Sequence, residues 1–151
     1  MSSTNNLLPI NLDFNGYYWA DASEIPEDTG IYCVYSTKEN PDRGSDGDRC
    51  VDELIYIGQA GNGDSSTLRS RIRNHAVTDY KEIDRKKYAY SFTILPAKHL
   101  DLVEAALVFQ FNPKNNKNLT KKYEGPDVEV SIKGNCAGLQ DFRLYNGTER
   151  F

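Results

Sequence analysis

A chain of 151 residues with 38% hydrophobic and 26% charged side chains and a net charge of −4 fits one globular domain, which excludes an intrinsically disordered chain. No apolar run approaches the roughly 20 residues of a membrane span, and the N-terminal MSSTNNLLPINLD lacks the basic region and apolar core of a secretory signal. Three cysteines, Cys33, Cys50 and Cys136, are odd in number and show no CxxC spacing, so no disulfide framework or structural zinc site is expected and a reducing cytoplasm is the expected compartment.

Residues 1–28 are polar apart from the aromatic GYYWA at 16–20 and read as an N-terminal extension packed on the domain. After the turn IPEDTG, the segments GIYCVYST and ELIYIGQA are rich in the β-branched and aromatic residues that favour strands. They read as an antiparallel hairpin whose tip, KENPDRGSDGDRCVD, is enlarged. Within that tip, Asp42, Asp46, Asp48 and Glu53 with Gly47 loosely resemble a calcium loop. Gly44 stands where a carboxylate or amide is needed, so a solvated loop is expected instead.

The turn AGNGDSS offers Ser65 or Ser66 as the cap of a helix over TLRSRIRNHAVTDY. YAYSFTILP at 88–96 predicts a third strand ended by Pro96, and a second helix is predicted from about His99 to Phe111, stopped by Asn112-Pro113. Residues 119–151 form a C-terminal extension of the same domain with one strand candidate, DVEVSI, and no assignable role.

Charge is unevenly spread. Residues 1–68 carry 3 basic and 12 acidic side chains, whereas RSRIRNHAVTDYKEIDRKK at 69–87 carries 7 basic and 3 acidic. Such a segment either meets phosphates or is a solvated helix face. At about 100° per residue, Leu68, Ile72 and His75 share one face of the first helix. Arg71 lies at its edge, an i,i+4 neighbour of His75, while Arg69 and Arg73 point elsewhere. In isolation, this is also the pattern of an arginine lying beside a core and a satisfied boundary histidine.

The second helix is more specific. Leu100, Val103, Leu107 and Phe111 form an apolar face that includes Glu104, with Asp101 near its margin. An ionised carboxylate aimed at a core costs several kcal/mol unless it finds a cation or dense hydrogen bonding. The partner is Arg71, a metal ion, or both; a plain buried Arg–Glu bridge satisfies the same pattern.

Gly30-Ile31-Tyr32 and Tyr56-Ile57-Gly58, then Arg71 with His75, then Glu104 with Pro113 nine residues on and Asn116 twelve on, together resemble the GIY-YIG nuclease family. Each tripeptide is weak alone; all these elements in order, with Glu104, Pro113 and Asn116 in register, are a strong signal. The resemblance spans about residues 29–118, the expected nuclease core. It implies an α/β (α+β) fold with a small, mainly antiparallel three-stranded central sheet flanked by helices. It further implies a metal-dependent endonuclease that hydrolyses nucleic-acid phosphodiester bonds, DNA ahead of RNA, with one Mg²⁺ (or Mn²⁺) ion per site.

By this resemblance Glu104 ligates the metal and the tyrosines contact the nucleophilic water and the scissile phosphate, with Tyr32 named ahead of Tyr56 as the general base. Arg71 braces the phosphate, His75 assists, and Asn116 holds the site together. Gly58 and the basic side chains Arg69, Arg73, Lys81, Arg85 and Lys86 are assigned to substrate contact. Gln59 follows the second tripeptide, where lysine or serine is common. Specificity would come from loops, the C-terminal extension, oligomerisation or a partner protein. The competing reading is a non-catalytic nucleic-acid or protein-binding module that keeps this fold.

Overall fold

The computed structural model describes residues 6–39, 49–78 and 87–150. Its elements are β1 (Leu8–Tyr18), β2 (Gly30–Glu39), β3 (Arg49–Ala60), α1 (Leu68–Thr78), β4 (Tyr88–Ile94), α2 (Leu100–Phe111), β5 (Val128–Gly134) and β6 (Phe142–Leu144), with a 3-10 turn at Ala97–His99. All six strands join one sheet in the order β3-β2-β4-β1-β5-β6. Neighbours run antiparallel except β1 and β5, which pair in parallel from Leu8↔Val128 to Phe14↔Gly134.

This corrects the expected architecture. The sheet is six-stranded and mixed, not a three-stranded one flanked by helices, and only two short α-helices occur among the described residues. The reason lies in the two terminal segments. In β1, Leu12 and Phe14 are buried while Asn11, Asp13 and Asn15 are exposed, and in β5 Val128 and Val130 alternate with exposed Glu129 and Ser131. Each segment therefore offers one apolar face to cover and one row of backbone groups to pair. Strand β1 meets both needs by lying between β4 and β5. The segment expected as a packed extension thus supplies an interior strand.

Alternation along β2 divides the interior. Ile31, Cys33 and Tyr35 face the layer built with Leu100, Val103, Ala106, Leu107 and Val108 of α2, and Leu12, Phe14, Val128 and Val130 join it. Tyr32 and Val34 face the other layer, with Leu68 and Ile72 of α1, Ile55, Tyr90 and Phe92. Each fully buried aliphatic or phenylalanine side chain contributes about 1.5–3 kcal/mol. Thr67, not Ser65 or Ser66, caps α1: its Oγ1 accepts from Ser70 N at 3.1 Å while Ser70 Oγ accepts from Thr67 N at 2.9 Å. Asn112, left-handed at φ 46°, ends α2. No helix among the described residues is long and apolar enough to cross a membrane.

Candidate active site at the β3 edge

Strand β3 is an edge of the sheet, and its exposed backbone needs partners. Asn116 supplies them. Its Oδ1 accepts from Ile57 N and its Nδ2 donates to Ile57 O, both at 2.9 Å, as a neighbouring strand would. Asn115 N donates to Ile55 O at 2.9 Å. The loop after α2 is thereby docked on the strand that carries Tyr56, Ile57 and Gly58.

Three rings pack beside this edge. Tyr56 stacks on His75 with centroids 4.7 Å apart, Tyr32 meets His75 edge-on at 5.7 Å, and the two tyrosines lie 6.2 Å apart. Gly58 makes the arrangement sterically feasible. A Cβ there would lie 2.7 Å from Tyr32 Cζ, 2.8 Å from its hydroxyl and 2.8 Å from Tyr56 Cε2. Gly30 does the same for the backbone, since a Cβ there would stand 2.2 Å from Thr93 O. The two glycines flanking the tyrosines are thus places of close approach.

Tyr32 is 1% exposed and His75 8% exposed. Burial pushes the Tyr32 hydroxyl well above the ordinary tyrosine value, Tyr56 adds to this, and the charge and hydrogen bond of Arg71 pull it back. Arg71 itself is exposed on α1. Tyr56 is half-buried and lines a cleft of about 300 Å³ together with Glu104, Asn115, Asn116, Lys117, Asn118 and Leu119. Of the two tyrosines, Tyr56 faces this cleft and Tyr32 stands behind it.

Glu104 is half-buried. Burial raises its carboxyl above the usual range and Asp101 adds to this, while a hydrogen bond from Gln59 and the charge of Arg71 oppose them. Among the described residues it has a partner not expected from the sequence: Gln59 Nε2 donates to Glu104 Oε1 at 2.6 Å. The same nitrogen lies 3.1 Å from Asp101 Oδ1, which also accepts from Asn62 Nδ2 at 2.7 Å. Asp101 had left a signal, being three residues before Glu104 on the same helical flank. Gln59 had left only its departure from the usual residue.

The metal expected at Glu104 can be tested against these groups. Gln59 Oε1 is buried and has no hydrogen-bond partner among the described residues, a situation that costs about 1–3 kcal/mol if nothing fills it. Among the described residues no group of three or more His, Cys, Asp or Glu side chains converges on one point. Hydrated Mg²⁺ does not require such a cage, because it binds through one or two carboxylates, its own waters and substrate phosphates. A half-buried carboxylate, a second one bridged to it and an orphaned amide oxygen fit that ion.

The other expected contacts diverge. Arg69 donates through Nε to Ile25 O at 2.8 Å and through a terminal nitrogen to Ser23 O at 3.2 Å, so its guanidinium holds the protein's own loop. Arg73 is exposed, its terminal nitrogen 3.5 Å from Asp21 O. Lys81, Arg85 and Lys86 lie outside the described residues, as do Asp42, Asp46 and Asp48. Glu53 is ion-paired with Lys114 at 3.2 Å. Lys117, which the sequence reading passed over, lies in the cleft wall.

No protein-family model matches the chain, and a search of curated proteins found no match either.

Proposed function

We propose that the chain is a metal-dependent endonuclease hydrolysing nucleic-acid phosphodiester bonds, DNA ahead of RNA, with the β3 edge as its active site. The observation that carries this reading is the meeting of Tyr32, Tyr56, His75, Arg71 and Glu104. They come from two strands and two helices, and Gly58 leaves the space in which the tyrosines approach each other. Such a set is costly for a merely structural edge, since it half-buries a carboxylate and buries the polar rings of Tyr32 and His75.

Arg71 does not line the cleft itself but is hydrogen-bonded to Tyr32 beside Tyr56, and its planar guanidinium can grip two oxygens of a phosphate that reaches it. Tyr56 lines the cleft whereas Tyr32 does not, which favours Tyr56 over Tyr32 as the group that would orient a water and accept its proton. An unperturbed tyrosine, with pKa near 10, is ionised only about once in a thousand at pH 7, so it can act as a base only in a strongly positive field. Arg71 supplies part of that field. Bound at Glu104, Mg²⁺ or Mn²⁺ would supply the rest and neutralise charge on the phosphate and leaving oxygen. Tyr32, buried and held protonated, buttresses Tyr56 through the His75 stack, and Asn116 fixes the strand beneath them.

The test is incubation of purified protein with supercoiled plasmid, single-stranded DNA and RNA in Mg²⁺ or Mn²⁺. Cleavage of at least one, slowed about 10²–10³-fold by Arg71→Ala or Glu104→Ala, is expected. Tight binding with no cleavage of any substrate would overturn the enzyme reading in favour of a binding module.

A further inference from the structure

Among the described residues, Gln59 is the one side chain at this edge with hydrogen bonds to both acidic residues. Its single amide nitrogen lies 2.6 Å from Glu104 Oε1 and 3.1 Å from Asp101 Oδ1. Both hydrogens of an amide nitrogen are thus spent on carboxylates. Asn62, from the turn after β3, holds Asp101 Oδ1 from another direction at 2.7 Å. Four side chains form one chain of donors and acceptors, from the turn, through α2, to β3. At its centre the Gln59 carbonyl oxygen is buried without a hydrogen-bond partner among the described residues.

We propose that Gln59 is the positioning residue of the cation site, its one amide nitrogen gathering Glu104 and Asp101 for a hydrated divalent cation. The inference rests on the nuclease reading and adds to it which residues decide cation loading. Two neighbouring carboxylates repel each other, and a neutral donor between them keeps them together until a cation arrives. Partners that orient metal-binding carboxylates typically govern affinity by about 10–100-fold.

A residue that only staples β3 to α2 would affect stability and leave cation affinity alone, so the two roles separate experimentally. Mn²⁺ titration of the full chain, followed by electron paramagnetic resonance, is run on the wild type, Glu104→Ala, Gln59→Leu and Gln59→Asn, with thermal melts alongside. Gln59→Asn keeps the amide but shortens the reach, and it decides the matter if Gln59→Leu does not fold. The expected result is Mn²⁺ binding that Glu104→Ala removes and that the Gln59 variants weaken about 10–100-fold. Their cleavage rate should return toward wild type at high Mn²⁺. Wild-type affinity in a folded Gln59 variant would overturn this inference and leave the nuclease reading standing. Wild-type protein with no Mn²⁺ binding dependent on Glu104 would overturn the cation site itself.

Discussion

Strands β3, β2 and β4 form one half of the sheet and β1, β5 and β6 the other, and the two halves are built differently. The first half is antiparallel throughout and draws its partners from segments close in sequence. Its side chains break the simple inside–outside pattern: Tyr32, Tyr35 and Tyr90 are fully buried, and Glu104 sits half-buried against it. The second half joins residues 8–14 to 128–134 in parallel. It keeps the regular alternation of strands with one covered face, and its charges pair at the surface, as Arg143 does with Glu129 at 2.9 Å and Lys133 with Asp13 at 3.9 Å. Departures from the rules of stable folding gather where chemistry is expected. The other half completes the core.

Substitutions on the two sides should therefore fail in different ways. The largest contrast is between Arg71→Ala or Glu104→Ala, each expected to slow cleavage about 10²–10³-fold with the fold intact, and Leu12→Ala. The latter opens a cavity under β1 and should cost about 2–5 kcal/mol of stability, read by urea denaturation. The molecules still folded should cut at the wild-type rate. If Leu12→Ala in its folded state were as slow as Arg71→Ala, the division between halves would be broken.

Gly58→Ala lies between these extremes. Its methyl group would overlap the Tyr32 ring and hydroxyl, so both stability, by about 1–3 kcal/mol, and cleavage should fall. Loss of one without the other would separate the packing of the tyrosines from their chemistry. A smaller effect is expected at Leu119, which lines the cleft with a left-handed backbone at φ 66° and 44% of its surface exposed. Arg150 pins the following segment by donating to the carbonyls of Thr120 and Phe109. Since asparagine tolerates that conformation far better than leucine, Leu119→Asn should raise stability by about 1 kcal/mol in a thermal or urea melt.

The smallest effect at neutral pH comes from the buried tyrosines. Burial raises the hydroxyls of Tyr32 and Tyr35 above their unfolded value near 10. Being favoured in the neutral form when folded, they contribute stability that is fully present below about pH 10 and lost as pH rises toward their folded values. Urea midpoints at pH 8, 10 and 11 should therefore be level at first and then fall. Tyr35→Phe should flatten that decline while giving up the hydrogen bond to Ala137 O at 2.7 Å.

The half bearing the candidate site was legible in the sequence, and the other half was largely not. The strands expected over 30–37, 53–60 and 88–96 announce themselves through isoleucine, valine and tyrosine, and both helices through their apolar faces, although β2 runs on to Glu39 and β3 begins at Arg49, inside the segment expected as a loop. In β1 the alternation of Ile10, Leu12 and Phe14 was present, but Pro9, Asn11, Asp13 and Asn15 have weak strand preference and masked it. Its parallel pairing with a segment some 120 residues away leaves no local trace at all. At the site, Glu104 was conspicuous because a charge on an apolar face demands a partner. Gln59 was not, because a neutral side chain on an edge strand raises no such demand, and only its two contacts reveal its place.

The most direct test of the central claim is plasmid cleavage in Mg²⁺ by Glu104→Gln beside the wild type, with both melting temperatures measured on the same samples. Burial raises the Glu104 carboxyl, so its ionised form is held at a cost at neutral pH, and the neutral amide should melt no lower than the wild type. The account predicts that this equally folded protein cuts about 10²–10³-fold more slowly. Cleavage at the wild-type rate by Glu104→Gln would contradict it.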